Sequence, residues 1–469
     1  MNYPVWVVPY LGGGWIIGII AIIHVYLSHF AVGGGAFLAI TEGLAYKRKD
    51  ERIYQYLRQH SKFFMILTSV SGAVTGVAIW WAIALVNPDG TAILIQNFTL
   101  AWALEYLFFV AELATVFVYY YSWDRISKEA HWKLAKLYCF LSIMTLVIIN
   151  GILTFMLTPG TWITSHYWLD GFLNPTYFPS LVMRLLIMFA IAGMYAMVTS
   201  SRLEDEELRA YMAKYCAKWL LPIFLMGPLV AFWYISNVPQ ATMATIFTGI
   251  QSSGVGNFSV LARTLYLSFI LSGTIVLFAF FGPYLNPKGF TFRIAILFLI
   301  CGLAATGSTE YMRELLRKPY VVYNFVYSNG VHKDDVARLQ ENGFITNGVW
   351  SKACAAQAPG DAGQGEVMFR YQCMSCHTTN GYRSMKKLLG ERDEEAIYGF
   401  LTMLKETNPE KNQYLGIMPP LAGQDGELRQ LAKYLYTINH EGAANVGSAP
   451  VSPVNGVPKA AVPVKNNAI

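Results

Sequence analysis

Residues 15–45 read WIIGIIAIIHVYLSHFAVGGGAFLAITEGLA, an apolar run whose ionisable members are His24, His29 and Glu42. A helix crosses the bilayer hydrocarbon with about 20 apolar residues, so this stretch spans with turns to spare. Charge closes it: Lys47, Arg48, Lys49, Arg52, Arg58 and Lys62 follow. Further apolar runs of spanning length lie near 63–87, 100–121, 134–158, 177–199, 217–236, 258–281 and 290–311, giving eight in all.

The connections between these runs alternate in charge. The first carries the block just named, the third Arg125, Lys128, Lys133 and Lys136, the fifth Arg202, Arg209, Lys214 and Lys218, and the seventh Lys288 and Arg293. The N-terminal segment and the second, fourth and sixth connections hold no Lys or Arg. Positive loops stay in the cytoplasm, so eight helices span with both termini outside. The whole chain, 54% hydrophobic and 14% charged, fits that reading, since soluble chains are about a quarter charged. Its net charge of +6 sits in those loops and does not indicate nucleic acid. The first run is too long for a cleaved signal, and its basic block follows it, so it is expected to remain as the first helix.

Beyond the last span stands Cys373-Met374-Ser375-Cys376-His377. A C-x-x-C-H run fixes one haem covalently through two thioethers, with the histidine as axial ligand. Such attachment takes place outside the cytoplasm, where the charge pattern also puts this segment. Gly365 and Phe369 lie eight and four residues before Cys373, so they share a helical face that can pack against the haem edge. Met418, held between Ile417 and Pro419-Pro420, is suited to be the second axial ligand; Met403 reads as a packing residue. Glu427, Leu428, Leu431, Tyr434 and Leu435 then mark an amphipathic closing helix. Residues 360–440 resemble a class I cytochrome c, with the His377/Met418 pair that raises reduction potential. Segment 321–359 is expected as a periplasmic linker and 441–469, rich in Ala, Pro, Val and Asn, as a disordered tail. Cys139, Cys216 and Cys301 read as small buried hydrophobes, while Cys354 in the linker has no evident partner.

Ionisable groups at membrane depth are costly and therefore functional candidates. Within the apolar runs the histidines are His24 and His29, about 140° apart around one helix, which argues against their binding one iron together. Glu105 and Glu112 are seven apart and share a face. Arg184, Arg263 and Glu310 complete the set. Each alone fits an interhelical hydrogen bond or ion pair; together, beside a haem site, they suggest haem ligands, propionate partners and a proton route.

The order of these residues resembles subunit I of the cytochrome bd oxidases over residues 15–320. The stretch from His24 through Gly33-Gly34-Gly35-Ala36-Phe37-Leu38-Ala39-Ile40-Thr41 to Glu42 is similar to that family's haem-ligating first helix. Glu112 to Trp123-Asp124-Arg125 is similar to its third, and Thr309-Glu310-Tyr311 with Arg317-Lys318-Pro319-Tyr320 to its Glu-Tyr-Gly-Arg-Gln-Pro-Trp motif with an insertion. The resemblance implies an all-α, eight-helix bundle over 1–320 holding one or two non-covalent haems, b and/or d. It puts His24, rather than His29, on an iron, with Glu310 and Glu105 ligating or abutting. The departures are equally plain. The family's low-spin haem needs a His in the fifth helix and a Met in the seventh, where this chain has Met183-Arg184 and Arg263-Thr264-Leu265. Its long quinol loop is reduced to Ser236–Ser259, and its ninth helix is replaced by the cytochrome module.

The expectation is a multi-pass protein of the bacterial inner membrane in which a periplasmic haem c exchanges electrons with bundle haem, feeding oxygen reduction. Glu112 and Glu105 would relay protons, and Arg184 and Arg263 would either neutralise propionates or fill the vacated haem site. The alternative is an electron-transfer or anchor subunit of a larger quinone-linked complex without oxygen chemistry. Either reading expects a second membrane subunit and a periplasmic carrier or further cytochromes.

Overall fold

A computed structural model describes residues 5–240, 242–243, 257–349, 351 and 360–440, with side chains except at 257–262 and 361–362. Cys354, the tail from 441 and most of the sixth connection lie outside the described residues. Among those residues eight helices are long and apolar enough to span. They are α1 (Gly13–Arg48), α2 (Glu51–Val86), α3 (Thr99–Tyr121), α4 (Lys128–Phe155), α5 (Tyr177–Ser200), α6 (Glu206–Ser236), α7 (Asn257–Ala279, continued by a π turn Phe280–Tyr284) and α8 (Phe292–Arg317).

Three spans, α2, α4 and α6, begin earlier than hydropathy suggests, for one reason. The charged stretch before the second apolar run is the amphipathic start of α2, not a loop. Ile53, Tyr54, Tyr56, Leu57, His60 and Phe64 are buried at helical spacing, while Arg52, Arg58 and Lys62 face out. Asp50 caps it by accepting from Arg52 N at 3.0 Å. Asp205 caps the amphipathic start of α6 in the same way, accepting from Glu207 N and Leu208 N at 3.0 Å.

α1 is the central post, packed on α2, α4, α5 and α8. Its triple glycine explains how. A Cβ on Gly33 would strike the Met188 backbone of α5, one on Gly34 the Phe64 ring of α2, and one on Gly35 would lie 2.5 Å from the Tyr138 ring of α4. Three consecutive positions point to three neighbours, so only hydrogen lets all three approach at once. The charged connections gather at one end. Arg52 pairs with Asp205 (3.5 Å) and Glu207 (3.1 Å), Arg58 with Asp124 and Lys128 with Glu51, joining the first, third and fifth connections. Arg202 stacks over Phe292 at 4.1 Å, bringing in the seventh.

The opposite end carries a cap of the short helices Pro88–Asn97, Trp162–Ser165 and Trp168–Phe172 with one antiparallel hairpin, β1 (Tyr320–Val322) and β2 (Val326–Tyr327). The hairpin departs from an all-helical expectation: Val321, Val322 and Val326 bury against Phe98, Phe155 and Trp162, where β-branched residues fit a half-buried ribbon.

The C-terminal module contains α9 (Val336–Asn342), α10 (Phe344–Asn347), α11 (Asp361–Gln372), α12 (Met385–Leu389), α13 (Glu394–Lys405) and α14 (Asp425–His440). Val331, Val336, Leu339, Phe344 and Ile345 share its core with Phe369, Leu428, Leu431 and Leu435, so the segment expected as a linker is partly built into the module. Glu427 pins it, accepting from Phe344 N and Ile345 N at 2.8 Å. The Gly365/Phe369 face packs α11 on α14: a Cβ on Gly365 would lie 2.7 Å from Tyr434 Cβ, and Phe369 meets the Tyr434 ring at 5.7 Å. The glycine there serves a helix crossing.

Candidate functional site

α11 stops at Gln372 because the chain tightens into a turn. Cys376 N and His377 N both donate to Cys373 O, at 3.1 and 2.9 Å. Cys373 and Cys376 are free thiols on that turn. His377 Nδ1 lies 3.2 Å from Arg383 O. A carbonyl only accepts, so Nδ1 carries the hydrogen and Nε2 presents a lone pair. Burial also holds this imidazole below its ordinary pKa, which keeps it neutral. Met418 is half-buried at the edge of the module core, its N–H bonded to Tyr414 O at 2.7 Å. Met403 packs into that core from α13.

This turn rests on the bundle. Tyr382 N donates to Tyr10 O at 2.9 Å, and Ser328 Oγ lies 3.8 Å from Cys376 Sγ. Trp15, at the start of α1, stacks on Tyr311 of α8 at 5.7 Å and meets Tyr382 edge-on at 5.5 Å. The C-x-x-C-H turn thus abuts the two helices that carry His24, His29 and Glu310.

Inside the bundle, His24 is half-buried, with Nδ1 3.1 Å from Thr75 Oγ1, beside Gly76 and just past a π segment of α2, Leu67–Gly72. His29 is buried; its Nδ1 donates to Val25 O at 2.7 Å, and its Nε2 has no partner among the described residues. Its charge neighbours are Arg184 and Glu310. Glu310 accepts from Arg313 Nε and Nη2 at 3.1 and 2.8 Å, with Arg184 Nη2 at 4.0 Å. The sequence reading set Glu310 with His24; the structure groups it with His29, Arg184 and Arg313. Arg313 was missed because its i,i+3 spacing from Glu310 reads like a surface pair, and here it lies inside the outer end of the bundle. Arg263 is exposed on α7 and does not join this group. Glu112 is buried and accepts from Tyr138 OH at 2.7 Å and Thr145 Oγ1 at 3.4 Å. Glu105 lies two turns further out on the same face of α3, half-buried.

The expectation of two histidines within the spans needs correction. α2 and α4 start before the hydropathy runs, so they bury His60 and His131 as well. His60 Nδ1 bonds Thr199 Oγ1 at 2.8 Å. His131 Nδ1 lies 2.7 Å from Glu42 Oε1, and Tyr119 OH donates to Glu42 Oε2 at 2.8 Å. Glu42 was visible within the helix 1 motif and Tyr119 lay inside the 100–121 run, but His131 came from a stretch read as a connection.

Residues 14–235 match the family described as cytochrome bd terminal oxidase subunit I. This stretch carries α1 to α6, and the chain therefore contains a domain of that family. Among solved structures, a bd oxidase from Geobacillus thermodenitrificans is similar at 14% identity and a TM-score of 0.56, over 66% of this chain and 87% of that one. No curated protein matches the chain. These likenesses establish a multi-pass, bd oxidase-like helical fold, and the family match supports a membrane respiratory oxidoreductase.

Proposed function

We propose that the chain is the haem-bearing subunit of a cytochrome c-fed, oxygen-reducing terminal oxidase, with its C-terminal module in the periplasm. The observation that carries this reading is the seat of the C-x-x-C-H turn on the ends of α1 and α8. An electron carrier held there stands directly over the helices that bear the candidate bundle ligands.

The donor sets fit the groups proposed. Cys373 and Cys376 would hold a haem c through thioethers, with His377 Nε2 and Met418 Sδ as donors to its iron. His24 would ligate a bundle haem b or d, as the family resemblance implies, with Glu105 abutting it, while Glu310 stays with His29, Arg184 and Arg313. When bound, these haems supply the one-electron and oxygen chemistry. The residues do the rest. Arg184 and Arg313 hold positive charge at the outer end of the bundle, suited to carboxylate groups. Tyr138 and Thr145 orient Glu112, which with Glu105 passes protons inward from the cytoplasmic side. Tyr311, Trp15 and Tyr382 fix the module against the bundle. A second membrane subunit and a periplasmic electron donor complete the assembly.

A second reading, an electron-transfer or anchor subunit without oxygen chemistry, draws on Glu310, whose carboxylate is committed to Arg313 and Arg184. A reduced and reduced-plus-CO optical spectrum with haem extraction decides between them. A CO-reactive haem b or d beside haem c, with oxygen consumption driven by reduced cytochrome c, is expected. Haem c with CO-inert haem alone would overturn the oxidase reading.

A further inference from the structure

We propose that Glu42, His131 and Tyr119 form a proton-loading site at the cytoplasmic end of the seam between α1, α3 and α4, supplying Glu112. The proposal deepens the oxidase reading, which leaves open where protons are taken up.

The three side chains are sealed, at 0%, 3% and 1% exposure. His131 Nε2 lies 3.0 Å from Tyr119 O, a carbonyl that only accepts, so Nε2 carries a hydrogen. Nδ1 then faces Glu42 Oε1 at 2.7 Å. Two lone pairs cannot sit at that distance, so a proton lies between them. Whether it is drawn on the carboxyl or on the imidazole, it is the same proton, and the pair can lend and recover it. When the proton is handed on, Nδ1 and Oε1 draw apart until another replaces it, and Tyr119 OH, on Glu42 Oε2 at 2.8 Å, steadies the carboxylate meanwhile.

A buried pair can be purely structural, pinning α1 to α4. The register of its neighbours points further. Glu105, Glu112 and Tyr119 recur at steps of seven along α3, and Thr145, Tyr138 and His131 at steps of seven along antiparallel α4. Residues seven apart share a helical face. The polar groups therefore form rungs: Tyr119 and His131 with Glu42, then Glu112 with Tyr138 and Thr145. The rungs are about 10 Å apart along the axis. Ala39, Val116 and Ala135 line the interval, so a proton crossing it needs a short water chain.

The cytoplasmic side is gated by the Trp123 ring, 4.0 Å from His131 and tied by Nε1 to Ser61 Oγ at 3.0 Å. Tyr54 of α2 also faces the pair; its buried hydroxyl has no hydrogen-bond partner among the described residues. Just outside lie Asp124 with Arg58 and Glu51 with Lys128, carboxylates able to collect protons at the surface. Each turnover of the site is balanced: one proton leaves the pair toward Glu112, and one from the cytoplasm replaces it.

The test is Glu42→Gln in the purified holo-complex. The amide can donate to a neutral Nδ1 and accept from Tyr119 OH, so the contacts survive and the shared proton does not. The complex is reduced anaerobically in weak buffer with a pH indicator, and proton uptake is recorded beside haem reduction. The expected result is an unchanged spectrum and reduction rate, with proton uptake slowed about 10-fold or more. Equal uptake in wild type and variant would overturn the proposal and leave a structural pair. If the glutamine variant does not assemble, Tyr119→Phe keeps the ring and removes one donor, and it too is expected to slow uptake; a wild-type rate there overturns the proposal. Oxygen consumption, measured separately, distinguishes failure of this site from failure of the oxidase reading.

Discussion

Gly365→Ala tests how the C-terminal module is held together. Two effects oppose one another. Alanine in a helix interior is favoured over glycine by about 1 kcal/mol. Against this, the new methyl would lie 2.7 Å from Tyr434 Cβ and 2.9 Å from the Gln430 carbonyl carbon, with the carbonyl oxygen closer still. Two of these three atoms are backbone and the third is a Cβ, so no side chain can rotate aside. Relief requires α11 and α14 to separate by roughly 1 Å, a gap that forfeits up to about half of the dispersion well between facing atoms. Met368, Phe369, Leu431 and Leu435, all buried at this crossing, would feel it. Overpacking of this kind costs about 1–3 kcal/mol, and rigid neighbours put it at the upper end. The net expectation is a loss of about 2 kcal/mol, or about 8–16 °C in the midpoint of a unit this size. Pulse proteolysis of the full-length protein along a temperature ramp, following release of the module, measures it. A midpoint equal to or above wild type would refute the close crossing.

Cys373→Ser with Cys376→Ser is expected to abolish haem that survives denaturation and organic extraction, while bundle haem stays; retention of covalent haem would sink the attachment site. Met418→Ala should lower the c-haem midpoint potential by about 100 mV or more, part of the roughly 0.8 V that axial ligation spans, and leave the bundle spectrum alone. An unmoved potential would put the ligand elsewhere. His24→Ala should remove a bundle haem without touching haem c. If the bundle spectrum persists there and vanishes in His29→Ala, the ligand is the unpartnered Nε2 of His29 instead. Glu310→Gln releases Arg313 and Arg184 from their shared carboxylate; the bundle haem spectrum should shift, and an unchanged one would confine Glu310 to a structural ion pair.

What can be read along the chain alone is whatever follows from local or additive physics. Apolar length set eight spans, alternating loop charge set the proposed orientation, and the spacing of Cys373, Cys376 and His377 marked the proposed haem c site. Each depends on residues read within one segment, so no knowledge of neighbours was needed. Tertiary structure alone decided which polar groups meet. Glu310 was legible as a buried carboxylate, but Arg313 and Arg184 became its partners only when α5 and α8 packed side by side. Glu42 was legible as part of a motif, while His131 reaches it from the start of α4, which hydropathy misplaced, and Tyr119 from the far end of α3. The amphipathic beginnings of α2, α4 and α6 carry charge on one face, which lowers a windowed average even though the other face is core. The seat of the C-terminal module on Tyr10, Trp15 and Tyr311 was likewise invisible, because a contact between distant segments leaves no periodicity in either.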